Sequence, residues 1–467
     1  MGDILGKLLF LVLTVLIARN LGAANYGKFS FAITFPNLFL IFSDLGLTIL
    51  MIREVARNKQ ETEKFISNVM IMKAVLSVLT WGIVFMLINL MKYPEDTKYA
   101  VYILTLSLLI NSFIEAFGSI FRAYEEMGYV AFLMVFQKAA CTLLGVAALF
   151  AGLGLKGVVN AYFLATLITG IIGYVILRNK FVKPVFHIDI DYCKKILHSA
   201  LPVGMSIFFS IVYFRIDTVL LSIMKGDTVV GWYNAAYKPM EALMVIPAAF
   251  MGALFPVFSN LYKNSRETLL FMCEKTIKIL LIIILPIAVG TTIFAEKIVI
   301  LFYGSGFESS IIALRILIWA SVIIYVNYVL TQLLIVINKQ KFNAIFTILC
   351  AAFNIGLNLV FIPKLSYIGS GVITVGTEIL LFVLCFFAVS RCMGIIPLHR
   401  IIIKPVLASI ILGLALIIAA DAPLFLAILI AAVVYVGAVK LIRIIDKDDH
   451  DILKSIFKVK TYEVSEK

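Results

Sequence analysis

Apolar residues fill most of this chain in stretches of about twenty residues, and short connections between the stretches collect the charged residues. We count about fourteen such stretches, and each can cross a bilayer because about 20 helical residues span its ~30 Å hydrocarbon core. A backbone in lipid must satisfy its own hydrogen bonds. The pattern therefore predicts an all-α polytopic membrane protein with about 14 transmembrane helices.

Composition and charge agree with this prediction. Of the 467 residues, 62% are hydrophobic and 14% charged, whereas soluble domains have about 25% charged residues. The net charge of +13 concentrates on one side: the even-numbered connections and the C-terminal tail hold about 25 Lys and Arg, against about 8 in the odd-numbered connections. This asymmetry predicts a cell-membrane protein with both termini in the cytoplasm. It explains the basic charge as an orientation signal, and nucleic-acid binding is not expected.

The chain contains an internal repeat. Residues 14–32 align without gaps on residues 218–236, and the glycines at positions 22 and 27 fall on those at 226 and 231. Six spans followed by six more in the same orientation predict two parallel repeats related by an axis along the membrane normal. Both copies place glycines in the connection between their first two spans, where a tight reversal and close helix packing need them. The predicted parts are an N-terminal six-helix bundle (1–180), a cytoplasmic linker (181–196), a C-terminal six-helix bundle (197–391), two additional transmembrane helices (392–445) and a cytoplasmic tail (446–467).

Polar side chains recur inside several spans. In the second span they draw a polar stripe along one predicted helix, and the eleventh span carries a stripe of Asn and Thr that suits hydrogen bonding between helices. An ionised side chain at mid-bilayer costs at least about 2.5–3.5 kcal/mol, so charged groups must pair or line a wet cavity. The second-span stripe is Ser30, Thr34, Asn37, Asp44 and Thr48, and further charged groups within spans include Lys73, Glu115, Lys138, Arg215, Asp217, Lys238, Glu241 and Glu378.

The charges in the seventh and eighth spans can be paired in part. Lys238 and Glu241 have the i, i+3 spacing that lets them pair, whereas Arg215 and Asp217 are two residues apart and need partners on other helices. A buried structural ion pair is one interpretation of these groups. For the remaining charged groups we favour a water-filled cavity between the two halves, beside helices that prolines interrupt.

Several kinds of chemistry lack a sequence signature. No nucleotide-binding G-x-x-x-x-G-K-[ST] motif or H-E-x-x-H motif occurs, the six cysteines form no C-x-x-C pair, and the longest connection has fewer than about twenty residues. We therefore expect no enzymatic activity, metal or cofactor. An ion gradient, the substrate gradient or a partner would supply the energy for transport.

The chain resembles the polysaccharide transporter family of the multidrug/oligosaccharidyl-lipid/polysaccharide exporter superfamily, which contains the flippases of lipid-linked sugars. Its length, span number and twofold repeat agree with that family. The segments that carry the resemblance are Ala18–Gly22 with Tyr26-Gly27, Asp44-Leu45-Gly46, Arg215-Ile216-Asp217 and Gly231–Lys238. The resemblance implies a V-shaped pair of six-helix bundles that moves a polyprenyl-(pyro)phosphate-linked oligosaccharide across the cytoplasmic membrane by alternating access.

Such a cargo needs a cationic site for phosphate and hydrogen-bonding groups for sugars, while its lipid tail stays among membrane lipids. For the phosphate we predict contacts from Arg215, Lys238 and Arg122. For sugar hydroxyls we predict contacts from Tyr233, Tyr237, Asn37 and Asn234. Asp217 and Glu241 are the candidates for coupling to H⁺ or Na⁺, or for neutralising the two cations between cycles.

Three alternatives remain open. A peptidoglycan-precursor-type lipid flippase shares the fourteen-span plan and differs only in its cargo. A small-molecule or drug antiporter of the same superfamily usually has twelve spans, so the last two spans count against it. A membrane glycosyltransferase or polymerase would need a larger loop with clustered acids. Polymerase or glycosyltransferase machinery is, however, a candidate partner of a flippase.

Overall fold

The computed structural model describes residues 2–183 and 188–445, and every regular element within these ranges is helical. The predicted tail at 446–467 lies outside the described residues, as do residues 184–187 of the predicted linker. The α-helices are α1 (Gly2–Phe39), α2 (Ile41–Asp44), α3 (Leu47–Arg57), α4 (Thr62–Leu90), α5 (Glu95–Ala123), α6 (Met127–Phe150), α7 (Gly154–Lys180), α8 (Ile190–Lys225), α9 (Asp227–Leu243), α10 (Val245–Asn264), α11 (Arg266–Tyr303), α12 (Ser310–Val336), α13 (Gln340–Met393), α14 (Leu398–Ile418) and α15 (Leu424–Leu441).

The described residues contain 12 helices that are long and apolar enough to cross a membrane. Three of these helices contain a non-helical residue, α1 at Gly22 (φ 76°), α11 at Phe294 (φ −96°) and α13 at Ser366 (φ 53°). A straight helix as long as α13, with 54 residues, would measure ~81 Å, far more than one bilayer crossing needs. Helix α13 therefore covers two of the fourteen predicted spans, and α1 covers the first span and the beginning of the second, which continues into α2 and α3. The prediction of an all-α polytopic membrane protein is confirmed.

Contacts between helices divide the chain into two compact units, and the division falls inside α9, between Asn234 and Ala235. In the first unit, α8 packs on α1 and α3. In the second unit, α12 packs on α11 and α13, and the two last helices pack on α11. This division does not coincide with the predicted linker at 181–196, and the predicted bundles stay a prediction.

The second-span polar stripe does not lie on one helix, so that part of the sequence interpretation is wrong. Helix α1 ends at Phe39, and the chain is left-handed at Leu45 (φ 46°) and Gly46 (φ 84°) before α3 begins. Asp44 is the last residue of α2, and its carboxylate accepts the backbone N–H of Thr48 at 3.3 Å. The break leaves Asn37 in α1 and Asp44 in α2. It also places the Asp44 carboxylate at the start of α3, where a negative charge is favourable.

Prolines interrupt helices of the second unit, and tyrosines satisfy the carbonyls that the prolines leave open. Pro247 has no N–H to donate to the carbonyl of Leu243, where α9 ends, and the Tyr325 hydroxyl donates to that carbonyl at 2.7 Å. In α11, Pro286 leaves the carbonyl of Ile282 open, and the Tyr435 hydroxyl of α15 donates to it at 2.9 Å. Bends inside the membrane are tolerated when neighbouring helices supply such donors.

Candidate functional site

Helices α8 and α9 hold most of the predicted site residues. Arg215 and Asp217 lie near the middle of the candidate span Ile207–Lys225, and Lys238 lies about three turns into the span Asp227–Asn264. Arg215 and Lys238 are partly exposed, whereas Asp217 is 4% exposed. Two cations therefore sit well inside membrane-spanning helices without being sealed in a core.

Hydrogen bonds join α8 to the first turns of α9. The Tyr233 hydroxyl donates to the Asp217 carboxylate at 2.9 Å, and both side chains are buried. One position further along each helix, the Asn234 amide donates to the Thr218 hydroxyl at 3.3 Å and to the carbonyl of Val230 at 3.0 Å. Asp217 thus has a partner on another helix, as the sequence spacing predicts. In this state, Tyr233 and Asn234 contact α8, and their assignment to sugar hydroxyls stays a prediction.

The predicted pairing of Lys238 with Glu241 is confirmed. The Lys238 Nζ lies 2.6 Å from the Glu241 Oε2, and the two side chains are 18% and 32% exposed. Tyr237, on the same helix, is buried at 6% exposure. The Lys238–Glu241 pair places a hydrogen-bond donor beside an acid that neutralises its charge, and the assignment of Lys238 to phosphate stays a prediction.

Arg122 and Asn37 occupy other parts of the first unit. Arg122 lies in the last turn of α5. Its Nη2 is 3.5 Å from the Oε2 of Glu115, which lies about two turns earlier in the same helix. Asn37 lies at the end of α1, and its carbonyl accepts the backbone N–H of Leu40 at 3.3 Å. The contacts that the structure shows for these two residues are local, and their substrate roles stay predictions.

The first unit contains a buried charge cluster around Lys73 and Asp44. The sequence indicated both charges but did not predict that they pair with each other. The Lys73 side chain is 0% exposed and forms an ion pair with Asp44. Its ammonium group also donates to the Thr48 hydroxyl at 3.0 Å, to the Ser112 hydroxyl at 2.8 Å and to the Ser112 carbonyl at 3.0 Å. The favoured interpretation of Lys73 as a cavity-lining group is wrong, because the residue is completely buried and fully hydrogen-bonded.

A second buried polar group lies in the second unit. Glu378 is 3% exposed and accepts the Asn327 amide at 2.8 Å on its carboxylate, so a wet cavity is also the wrong interpretation for this residue. Across the break in α13, the Asn354 amide donates to the Thr377 hydroxyl at 3.4 Å, whereas the Asn358 amide donates to the Asn354 side chain four residues earlier in the same segment, at 2.9 Å. The Asn354–Thr377 contact agrees with the predicted role of the Asn stripe in hydrogen bonding between helices.

A polar cleft of about 290 Å³ opens in the first unit beside the start of α8. Arg57, Glu61 and Lys195 are among the residues that line it. Next to it, Lys64 pairs with Asp189 at 2.8 Å, and burial raises the pKa of the neighbouring Tyr192 hydroxyl. The cleft carries charges of both signs, and none of the predicted site residues lines it.

Comparison with solved structures identifies the fold. The fold matches the lipid II flippase MurJ in an inward closed conformation, with a TM-score of 0.81 and 16% identity over 94% of this chain and 97% of that chain. It also matches an inward-facing multidrug resistance transporter of the MATE family, with a TM-score of 0.68 and 18% identity over 83% of this chain and 95% of that chain. The fold is therefore that of the superfamily that the motifs indicated.

Family models identify the branch of this superfamily. The model described as "Polysaccharide biosynthesis protein" matches residues 1–262, and the MatE model matches residues 202–360. The chain belongs to the polysaccharide biosynthesis protein family, within the polysaccharide transporter branch that the resemblance predicted. One relative is the "Probable low-salt glycan biosynthesis flippase Agl15" of Haloferax volcanii, 21% identical over 76% of this chain and 75% of that protein. The protein is thus a multi-pass membrane transporter of this superfamily.

Proposed function

We propose that this protein is a flippase that moves a polyprenyl-(pyro)phosphate-linked oligosaccharide from the cytoplasmic to the outer leaflet by alternating access. The observation that carries the proposal is the pair of partly exposed cations well inside α8 and α9, Arg215 and Lys238. A cation that faced lipid there would cost at least about 2.5–3.5 kcal/mol. A hydrated path that receives an anionic headgroup removes that cost and uses the charge.

The proposed roles of the charged residues in α8 and α9 follow from the chemistry of their side chains. The planar guanidinium of Arg215 can donate two hydrogen bonds to one phosphate, and Lys238 adds a compact positive charge. Between cycles the 2.6 Å contact with Glu241 neutralises Lys238. Asp217 and Glu241 are the proposed sites of coupling to H⁺ or Na⁺, because both carboxylates lie within spans and beside groups that change partners when substrate arrives.

Two features favour a lipid-linked cargo over a small drug. The first is the family match, which covers residues 1–262. The second is the pair of additional helices, α14 and α15, which pack on α11. A twelve-span drug transporter has no use for them, whereas a long lipid tail needs a larger surface in the membrane. A lipid II-type cargo has the same pyrophosphate chemistry, so the assay must compare the two lipids directly.

The test is transport by the purified protein in vesicles that contain a fluorescent polyprenyl-pyrophosphate-linked oligosaccharide. Translocation is measured as the rate at which the saccharide becomes accessible to an added glycosidase. We expect Arg215→Ala and Lys238→Ala each to lower the rate about tenfold or more, because a charge-assisted hydrogen bond contributes about 1.5–3 kcal/mol.

Lys98→Ala is the matched control. Lys98 forms an i, i+3 pair with Glu95 at 2.7 Å, like the pair of Lys238, but it lies at the start of α5. We expect this variant to transport at nearly the wild-type rate. Wild-type rates in both Arg215→Ala and Lys238→Ala would contradict the headgroup assignment, and faster transport of lipid II or of a cationic dye than of the oligosaccharide lipid would favour one of the alternatives.

A further inference from the structure

The cleft of about 290 Å³ beside the start of α8 has an apolar floor and a charged rim. The proposed transport function gives this cleft no role. The floor includes three buried side chains, one each from α3, α4 and α8: Val55, Phe65 and Ile196. The charged side chains that we consider at the rim are all exposed: Arg57, Glu61 and Lys195.

The rim charges are available to a ligand. Among the residues that the structure describes, the Lys195 ammonium and the Glu61 carboxylate have no hydrogen-bond or ion-pair partner. Arg57 lies 3.8 Å from Glu54, but Glu54 makes a closer contact of 2.8 Å with Arg53. The cleft therefore presents two cationic donors and one acceptor carboxylate. This set matches a ligand that carries a phosphate and an ammonium group together.

The cleft lies at the membrane surface. The candidate span Lys59–Leu90 has 32 residues and a length of ~48 Å, so its ends extend beyond the ~30 Å hydrocarbon core into the headgroup layer. Glu61 is near the beginning of this span. At the start of α8, the exposed apolar residues Ile190, Leu201 and Met205 share one face, because they are about three turns and one turn apart. Such a face beside charged residues is typical of a helix segment that contacts the membrane surface.

The wall that α8 contributes to the cleft is fixed to α4. The Asp189 carboxylate pairs with Lys64 at 2.8 Å and accepts the backbone N–H of Tyr192 at 3.0 Å, which caps α8. The Asn68 side-chain oxygen accepts the backbone N–H of Asp189 at 2.9 Å. The Tyr192 ring packs edge-on against Phe65, with 6.1 Å between the ring centroids. The cleft is thus preformed, and a ligand loses little affinity to the ordering of its walls.

We propose that this cleft binds the headgroup of a zwitterionic aminophospholipid of the surrounding membrane. Arg57 and Lys195 contact the phosphate, Glu61 contacts the ammonium group, and the apolar floor contacts the glycerol and the first acyl carbons. The volume of about 290 Å³ is near the lower limit of ligand clefts, ~300 Å³, which suits a headgroup and is too small for an oligosaccharide with its pyrophosphate. The bound lipid connects the end of α3 to the start of α8.

Native mass spectrometry of the purified full chain tests the proposal. Phosphatidylethanolamine, phosphatidylcholine and phosphatidylglycerol with the same acyl chains are titrated separately, and the affinity of the first bound lipid is measured. We expect phosphatidylethanolamine to bind about tenfold more tightly than the other two, because only its ammonium group can donate hydrogen bonds to Glu61. The choline ammonium has no N–H, and the glycerol headgroup has no ammonium.

Variants of the rim separate the two halves of the headgroup. Arg57→Ala and Lys195→Ala should each weaken binding of phosphatidylethanolamine about tenfold, because each removes a donor to the phosphate. Glu61→Gln should instead remove the preference for phosphatidylethanolamine over phosphatidylglycerol.

Lys194→Ala and Glu63→Gln are the matched controls. Both residues are exposed, remove the same charges from neighbouring positions and do not line the cleft. We expect them to bind all three lipids like the native chain.

Ser199→Trp tests the cleft without a change of charge. Ser199 is an exposed residue that lines the cleft, and an indole there should fill the space and weaken binding of phosphatidylethanolamine to the level of phosphatidylcholine. Unchanged binding in Ser199→Trp, Arg57→Ala and Lys195→Ala would overturn the site. Equal affinities of the native chain for the three lipids would also overturn it, and tighter binding of phosphatidylglycerol would contradict the role of Glu61.

Soluble O-phosphoethanolamine distinguishes a lipid from a free metabolite. At the same concentration it should not displace the lipid, because it lacks the glycerol and acyl carbons that contact the floor. Displacement would contradict the membrane source of the ligand. The binding measurement involves no transport, so an error in the proposed cargo would leave its result unchanged.

Discussion

At the scale of single residues, the most consequential contact is the ion pair of Lys73 and Asp44. Lys73 is completely buried, whereas the Asp44 side chain is 20% exposed. The two partners therefore depend on each other unequally. Without Asp44, Lys73 would keep only the neutral Thr48 and Ser112 as direct hydrogen-bond partners, whereas Asp44 without Lys73 would keep its partly exposed position and its hydrogen bond with Thr48.

This asymmetry gives the first stability prediction. Asp44→Asn should lower stability by about 3–5 kcal/mol, because it leaves a buried charge without a counter-charge. Lys73→Met should cost less, and the double variant Asp44→Asn/Lys73→Met should recover most of the loss. Thermal unfolding of the purified variants in detergent measures all three. A double variant no more stable than Asp44→Asn would show that the pairing of charges is not what stabilises this site.

The sequence could predict that these charges need partners but not which partners they find. Asp44 and Lys73 are recognisable as charges within spans because lipid excludes them. Their pairing depends on the break at Leu45 and Gly46, which turns the Asp44 carboxylate toward α4, and a periodic polar stripe favoured an unbroken helix instead. By contrast, the pairing of Lys238 with Glu241 was predictable, because both residues lie on one helix at a fixed spacing.

At the scale of elements, bends in the helices depend on donors from elsewhere in the second unit. Tyr325 is 0% exposed and donates to the carbonyl of Leu243, which lacks its helical donor because residue 247 is a proline. The sequence predicted that prolines interrupt this span. The donor lies 82 positions away along the chain, and no local pattern identifies it.

A double-mutant cycle tests this arrangement. Tyr325→Phe should lower stability by about 1–3 kcal/mol, because it leaves a buried carbonyl without a donor. In the background of Pro247→Ala the same change should cost clearly less, since the alanine N–H can donate to Leu243. Chemical or thermal unfolding of the four proteins gives the coupling. Equal costs in both backgrounds would mean that the hydroxyl does not replace the missing N–H.

At the scale of the whole molecule, the hydrophobic pattern predicted the fold class well, since the apolar stretches are helical apart from short breaks, such as those at Leu45-Gly46 and Met244. The division into compact units was less predictable. It falls inside α9 rather than at the charged linker, because packing of α8 on α1 and α3, and not composition, decides where contacts change. Neither the hydrophobic pattern nor the packing of the helices shows which end of each helix faces the cytoplasm. This orientation needs an experiment of its own.

Both termini are predicted to lie in the cytoplasm, because the even-numbered connections hold most of the Lys and Arg. Cysteines introduced at the two ends of single helices test this in a chain without its six native cysteines. At exposed positions, Glu126→Cys and Gln340→Cys should react with a membrane-impermeant maleimide only after the membrane is opened, whereas Ala151→Cys and Glu308→Cys should react in intact cells. The physical reason is that translocating Lys and Arg against the membrane potential is unfavourable, so the connections that carry them stay inside. The reversed pattern would place the termini outside, and a pattern that changes between the α6 and α12 pairs would contradict the number of spans between them.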